Sequence, residues 1–332
     1  MMKKILITGG AGYVGTRLTP QLLEMGYHVT VYDIQYYGCC LQPHPNLRII
    51  KSDIRDKAAF EKACNSIDVA LHLACISNDP SFALDEGLSK SINYDCFESL
   101  VATAKNAGVR RFVYCSSSSV YGVSDKSDVK EDHPLVPLTL YNKFKGMCEP
   151  LLFKHKSDDF ECVAIRPATI CGYSPRIRFD LSVNILTNHA VVSSAIKVLG
   201  GTQLRPNLHI QDMCDAYKLM IEAPADKIHG QTFNIGYQNR SIGELAEVVR
   251  DIVLREFSDK GHIDIQYEPS DDLRSYHINS DKIKETLGFV PKHTVENAVE
   301  DICRAFKEKK FTDSLNNTAY FNVLCLKQSR AA

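Results

Sequence analysis

No stretch of this 332-residue chain approaches the roughly 20 consecutive apolar residues that a membrane helix requires. At the amino terminus, MMKKILITGGAGYVG, two lysines precede apolar residues, but glycines interrupt the run too early for a secretory leader. A cytoplasmic protein is expected. Charge of one sign is also missing: 39 Lys and Arg stand against 40 Asp and Glu, a formal net charge of -1. No global field therefore argues for nucleic acid or an anionic membrane as partner. There is no CxxC, and among twelve cysteines only Cys39 and Cys40 are close together. That removes the usual spacing of zinc ligands, and no metal is expected. Cys75, Cys115 and Cys162 fall inside apolar strand-like runs, where a reduced thiol behaves as a small hydrophobe. In that compartment the sequons at Asn239 and Asn316 carry no glycan. Internal repeats and low-complexity linkers are absent as well.

What is present is an alternation. Apolar, β-rich runs (KKILITG, HVTVYD, LRIIKSD, VALHLA, RFVYCSSSS, ECVAIRPA) are separated by helical patterns such as GTRLTPQLLEMG and NYDCFESLVATAKNAG. Continuous apolar strands between helices describe an α/β protein with a doubly wound parallel sheet, covered on both faces. After Ala168 the rhythm loosens, then QDMCDAYKLMIEA and QTFNIGY supply a helix and strand that can rejoin the sheet. The expected organisation is a dinucleotide-binding domain from 1–167 plus roughly 208–237. A smaller, discontinuous substrate-binding lobe would take roughly 168–207 and 238–315, leaving 316–332 as a loosely attached tail. Asp212 is expected to cap MCDAYKLM, and His72 to be a core residue.

ILITGGAGYVGTRL reads as strand, glycine-rich turn and helix start. Gly10, Gly12 and Gly15 satisfy G-x-G-x-x-G, with Gly9 in the same turn. Lacking Cβ atoms, such a turn brings backbone N–H groups and a helix N-terminus close to a pyrophosphate. The strand HVTVYD ends in Asp33, about 20 residues further on, where a carboxylate accepts from a ribose 2′-OH and repels a 2′-phosphate. NAD is therefore favoured over NADP. Asp53 follows a third strand and is placed either at the adenine edge or as the N-cap of the next helix.

PLTLYNKFKG sets Tyr141 and Lys145 four apart, so on a helix they share one face about 6 Å apart. RFVYCSSSSVYG runs a strand into hydroxyls at the carboxyl edge of the sheet, where ligands bind in open α/β folds. With TGGAGYVG, Asp33, SDI at 52 to 54, LHLAC at 71 to 75 and Asn93, these residues make the chain resemble the extended short-chain dehydrogenase/reductase family, specifically its nucleotide-sugar epimerases and dehydratases. The likeness runs from about residue 3 to 310. It implies a Rossmann-type fold, NAD held by Gly9, Gly12, Tyr13, Val14, Gly15, Asp33, Asp53, Ile54, Leu73, Ala74, Asn93, Tyr141 and Lys145, and a homodimer. It also implies that Tyr141 is the general base, Lys145 its electrostatic partner, and Ser117, three residues before Val120, the catalytic hydroxyl. A free phenol, pKa ~10, is a poor base at neutral pH, and a neighbouring ammonium is expected to pull it down.

By the same resemblance Arg205 and Arg274 hold a nucleotide diphosphate, and Thr169, Asn184 and Ser117 meet the substrate. Arg176 and Arg178 have no family counterpart and are open between an anion site and a solvated loop. The family's 4,6-dehydratases carry Asp-Glu directly after the catalytic hydroxyl; here Ser118 and Ser119 stand there. A reductase that exchanges its cofactor would favour NADP(H), against Asp33. A redox-neutral C4 epimerase of a UDP-sugar, passing through a 4-keto sugar, is expected. A nucleotide-sugar dehydrogenase or reductase is the alternative, then a dehydratase, then a non-catalytic nucleotide-binding protein. Three departures from the family pattern surround the pocket: Thr169 ends R-x-x-N, Cys171-Gly172-Tyr173 replaces YGP, and Phe144 precedes the lysine where a small residue is common.

Overall fold

The computed structural model describes residues 3–124, 126, 128–270 and 275–331. Among these, the strands in chain order are β1 (Lys4–Thr8), β2 (His28–Asp33), β3 (Leu47–Lys51), β4 (Val69–His72), β5 (Arg111–Cys115), β6 (Glu161–Pro167), β7 (Thr169–Cys171), β8 (Ala195–Leu199), β9 (Leu204–His209), β10 (Gln231–Ile235), β11 (Gln238–Ser241) and β12 (Asp264–Glu268). Seven form one sheet in the order β10, β6, β5, β4, β1, β2, β3, with every neighbouring pair parallel. The order reverses between β1 and β4. A crevice therefore opens there, beyond the carboxyl ends of the strands.

Period-two alternation assigns the core. Ile5, Ile7, Val29, Val31, Leu71 and Val113 point to one face, against Leu18 and Leu22 of helix Gly15–Glu24 and Met213 and Tyr217 of helix Ile210–Glu222. Leu6, Tyr32, Ala70, Phe112 and Tyr114 point to the other, against helices Lys57–Cys64, Phe97–Asn106 and Leu140–Phe153. Each large side chain buried in this way contributes about 1.5–3 kcal/mol. His72 belongs to this core: its Nδ1 is 2.9 Å from Thr8 Oγ1, and burial pulls its pKa down to about 3.

The chain leaves this sheet after β6 and returns to it at β10. Between and after, β9 pairs with β7 and β11, and β8 pairs with β12. Helices Ser182–Ser193, Ile242–Glu256 and Val295–Lys307 share a second core built on Val183, Leu186, Leu245, Val249 and Val299. Capping boxes at Ser241/Glu244 and Thr294/Asn297 start the last two helices. Asp212 does not cap its own helix, whose N-cap is His209. Its buried carboxylate instead accepts from the backbone N–H of Lys292 and His293 and lies 2.9 Å from His293 Nδ1.

The last segment is docked, unlike the loose tail expected from its composition. Thr318–Tyr320 forms a 3-10 turn and Asn322–Ala331 a helix. Phe179 donates its N–H to Tyr320 O at 2.9 Å, Cys325 Sγ donates to Tyr36 O, and Leu326 joins the core around Leu6, Tyr32 and Phe112. All twelve cysteines are free thiols. No helix among the described residues is long and apolar enough to cross a membrane.

Candidate active site

The crevice holds a cleft of about 710 Å³, and beside it, under β2, a cavity of about 100 Å³. Gly9, Tyr37, Leu73 and Cys75 line both, so the two are one continuous slot. Gly9 has φ +72°, and a Cβ there would stand 2.7 Å from Ala74 N; at Gly15 it would stand 2.4 Å from Gly10 O. Only glycine allows β1 to turn this tightly under β4 and start helix Gly15–Glu24 against its own turn. That helix has no side-chain cap at Val14, and the N–H groups of Thr16 and Arg17 are paired with Gly12 O and Val14 O, while Tyr13, Val14 and Gly15 at its start line the cleft.

Asp33 lines the smaller cavity, its Oδ2 accepting from Ala11 N at 3.0 Å and its Oδ1 from Gln35 N at 2.6 Å. Burial raises its pKa, and those two amides oppose the shift. Ile54, Leu73 and Ala74 are apolar walls of the same cavity. Asp53 lines it too, with its carboxylate held by Arg55, whose Nε donates at 2.9 Å; that hydrogen bond is the main cause of a lowered pKa. The capping role weighed for Asp53 belongs to Asp56, which accepts from Ala59 N at 3.0 Å. Asn93 is placed differently from expectation. It lies in the π-helical turn Ser91–Asp95, and its amide is paired twice with the backbone of Ile76, at 2.8 and 2.9 Å. It shapes the loop after β4 rather than lining the slot.

Tyr141 and Lys145 share a face of helix Leu140–Phe153, started by Thr139, whose Oγ1 accepts from Asn142 N. Both line the cleft, as does Ser117. Lys145 is buried, its Nζ donating to Cys115 O at 2.7 Å, at the end of β5. Burial disfavours its ammonium, but its ionisable neighbours Cys75, Tyr141 and Cys115 turn the net direction of its pKa upward. For Tyr141 the expected lowering is outweighed. Desolvation raises the phenol well above its ordinary value, and Lys145 offsets only part of that.

Three of the four consecutive serines separate by partner. Ser116 Oγ donates to Glu149 Oε1 at 2.6 Å. Ser117 Oγ is 2.7 Å from Ser119 Oγ, which donates to Asn142 Oδ1. Phe144 is buried against Tyr94 and Phe82, with ring centroids 5.1 and 5.8 Å away, so its bulk packs into the core. Sequence reasoning missed Glu149. It forms a two-pronged buried ion pair with Arg166, at 2.9 and 2.6 Å, tying the Tyr141 helix to β6. A glutamate four residues after Lys145, on an otherwise buried face, was the available signal.

Beyond β6, Thr169 and Arg205 line the cleft, and Arg205 lies 5.5 Å from the centroid of the Tyr276 ring. Arg274 lies outside the described residues. Asn184 does not reach the cleft. It is fully buried, with Oδ1 accepting from Gly172 N at 3.0 Å and Nδ2 donating to Tyr13 Oη and Arg178 O. Arg176 and Arg178, left open by the sequence, both line the cleft and are buried rather than solvated.

The model of the NAD-dependent epimerase/dehydratase family matches residues 5–236. A UDP-glucose 4-epimerase of Lactobacillus helveticus is 28% identical over 92% of this chain and 97% of its own length. A putative UDP-arabinose 4-epimerase of Arabidopsis thaliana is 26% identical, over 92% of this chain and 79% of its own. Among solved structures, MoeE5 in complex with UDP-glucose and NAD is 25% identical with TM-score 0.78, covering 92% of this chain and 99% of that one. The chain belongs to the NAD-dependent epimerase/dehydratase family, and its cofactor is NAD.

Proposed function

We propose that the protein is a C4 epimerase of a UDP-sugar, working through a transient 4-keto sugar without net use of NAD. The observation that carries this reading is the meeting of Tyr141, Lys145 and Ser117 in one cleft, with serines at 118 and 119. The slot suits NAD on its own terms: a glycine turn that no Cβ could enter, an uncapped helix start, and Asp33 fixed by two amides beside an apolar cavity. Bound there, NAD supplies a reversible hydride acceptor.

Tyr141 takes the proton of the C4 hydroxyl as the carbon is oxidised, and gives it back once the keto sugar has presented its other face. Lys145, fixed on Cys115 O, holds positive charge beside the phenol and favours its ionised form. Ser117 hydrogen-bonds the reacting oxygen. Without a carboxylate at 118 or 119, the step that would expel water from the sugar lacks the acid and base the family's dehydratases place there. The diphosphate of the substrate is assigned to Arg205 and Arg274, whose planar forks match such an anion.

The test is incubation with a panel of UDP-hexoses and UDP-pentoses without added NAD, followed by proton NMR. A C4 epimer should accumulate to equilibrium, and a substrate deuterated at C4 should keep its label there. Steady consumption of added NAD with a build-up of oxidised sugar would replace this reading with a dehydrogenase.

A further inference from the structure

Arg176 and Arg178 sit two residues apart on the loop after β7, 7% and 9% exposed, and their charges are balanced in different ways. Arg178 is gripped by Asp180, with Nε and Nη2 each 3.0 Å from a carboxylate oxygen, and its Nη1 donates to Ser77 Oγ at 3.1 Å. Arg176 has no carboxylate partner among the described residues. Its Nη2 donates to the neutral Oδ1 of Asn322 at 2.6 Å, its guanidinium lies 4.2 Å from the centroid of the Tyr37 ring, and its Nε is buried with no hydrogen-bond partner. Burial and the neighbouring charge of Arg178 pull its pKa down to about 10. A buried guanidinium left in this state is unfavourable unless an anion arrives.

Its position says which anion. Tyr37, on which Arg176 stacks, lines both the main cleft and the small cavity that holds Asp33, and the Arg176 charge acts on the Asp33 carboxylate. The guanidinium therefore stands beside the ring that the main cleft and the Asp33 cavity share. Tyr141 and Ser117 line the same cleft. Asn322 comes from the docked last segment. While its Oδ1 holds Arg176, its Nδ2 donates to Ser77 Oγ at 3.0 Å, so it links the loop after β7 to the loop after β4.

We propose that Arg176, positioned by Asn322, is the counter-cation of the NAD diphosphate, and that the last segment of the chain thereby helps retain the cofactor. A planar guanidinium matches a phosphate edge, and the diphosphate supplies the negative charge that the protein withholds. The inference depends on NAD as cofactor and not on which sugar is turned over.

The test compares wild type with Arg176→Ala, Arg176→Lys and Asn322→Ala. NAD per chain is measured after gel filtration, and ADP-ribose and adenosine affinities are measured calorimetrically on the nucleotide-free fraction. Arg176→Ala should lose most of its retained NAD and bind ADP-ribose roughly 10- to 100-fold more weakly, with adenosine binding unchanged. Arg176→Lys should fall between, and Asn322→Ala should weaken ADP-ribose by roughly 2- to 10-fold. Circular dichroism checks each fold, and the two milder variants decide the matter if the alanine at 176 does not fold. Unchanged ADP-ribose affinity would overturn the proposal. So would equal losses for ADP-ribose and adenosine, because a structural role alone would produce them.

Discussion

The two walls of the cleft are built by different means. The wall formed before residue 168 takes its chemistry from single strand-to-helix transitions: β1 into the glycine turn, β2 into Asp33, β5 into the serines, Thr139 into the Tyr141 helix. The wall formed after it takes its chemistry from contacts between distant segments. Arg176 is fixed by a residue 146 positions away, and Asn184 by one 171 away. The first design places a side chain by local geometry. The second places it by what else happens to pack there, and a polar residue on that wall can be absorbed into structure.

The sharpest break between the walls should come from the first. Tyr141→Phe removes the proposed base and leaves the turn and Asp33 untouched, so epimerisation should fall roughly 10²- to 10⁴-fold while NAD content stays at the wild-type level. More than a tenth of the activity surviving would assign the proton transfer to another group. Lys145→Met should displace the pH profile rather than merely scale it. The ammonium is what offsets the burial of the Tyr141 phenol, so its loss raises the phenol further. The acid limb of the rate profile then moves to higher pH, and a shift to lower pH would contradict the role given to Lys145.

Next comes the joint between the first wall and its sheet. Glu149→Ala leaves Arg166 buried with no counter-ion and frees Ser116, so stability should drop by about 3–5 kcal/mol. Urea or thermal unfolding measures this. A loss below about 1 kcal/mol would mean that water reaches the pair and that the joint does little.

This contrast explains what could be read from the chain alone. Continuous apolar runs gave away the sheet because both of its faces are covered, and the Tyr141–Lys145 spacing was legible because four residues of helix fix its meaning. The direction of Asn184 was not legible. Helix Ser182–Ser193 buries Asn184, Thr187 and Asn188 alongside Val183 and Leu186, so apolar periodicity does not mark its inner face. Arg176 and Arg178 were ambiguous for the related reason that the groups burying them, Tyr37, Ser77 and Asn322, come from three other parts of the sequence. Asn93 follows Ile92, which lines the small cavity, yet its own amide is paired with Ile76. Only a structure shows which way an amide faces.

A smaller effect sharpens the comparison on the second wall. Asn184→Ala strands Gly172 N and the carbonyl of Arg178, which should cost about 1–3 kcal/mol and leave the KM for the nucleotide sugar near wild type. Arg205→Ala should do the reverse, raising KM with little change in melting temperature. Were the two outcomes exchanged, Asn184 would belong to the substrate and Arg205 to the framework.

The smallest expected effect separates two aspartates three residues apart on the first wall. Asp56 accepts from Ala59 N and starts helix Lys57–Cys64, so Asp56→Ala should cost about 1 kcal/mol of stability. Asp53 is held by Arg55 near the surface, where such a pair contributes about 0–1 kcal/mol. Asp53→Ala should therefore leave unfolding almost unchanged and weaken adenosine binding at the small cavity it lines. If Asp53→Ala destabilised the fold as much as Asp56→Ala and left adenosine affinity intact, its carboxylate would be part of the scaffold. The nucleotide pocket would then recognise its ligand through Asp33 and the apolar walls alone.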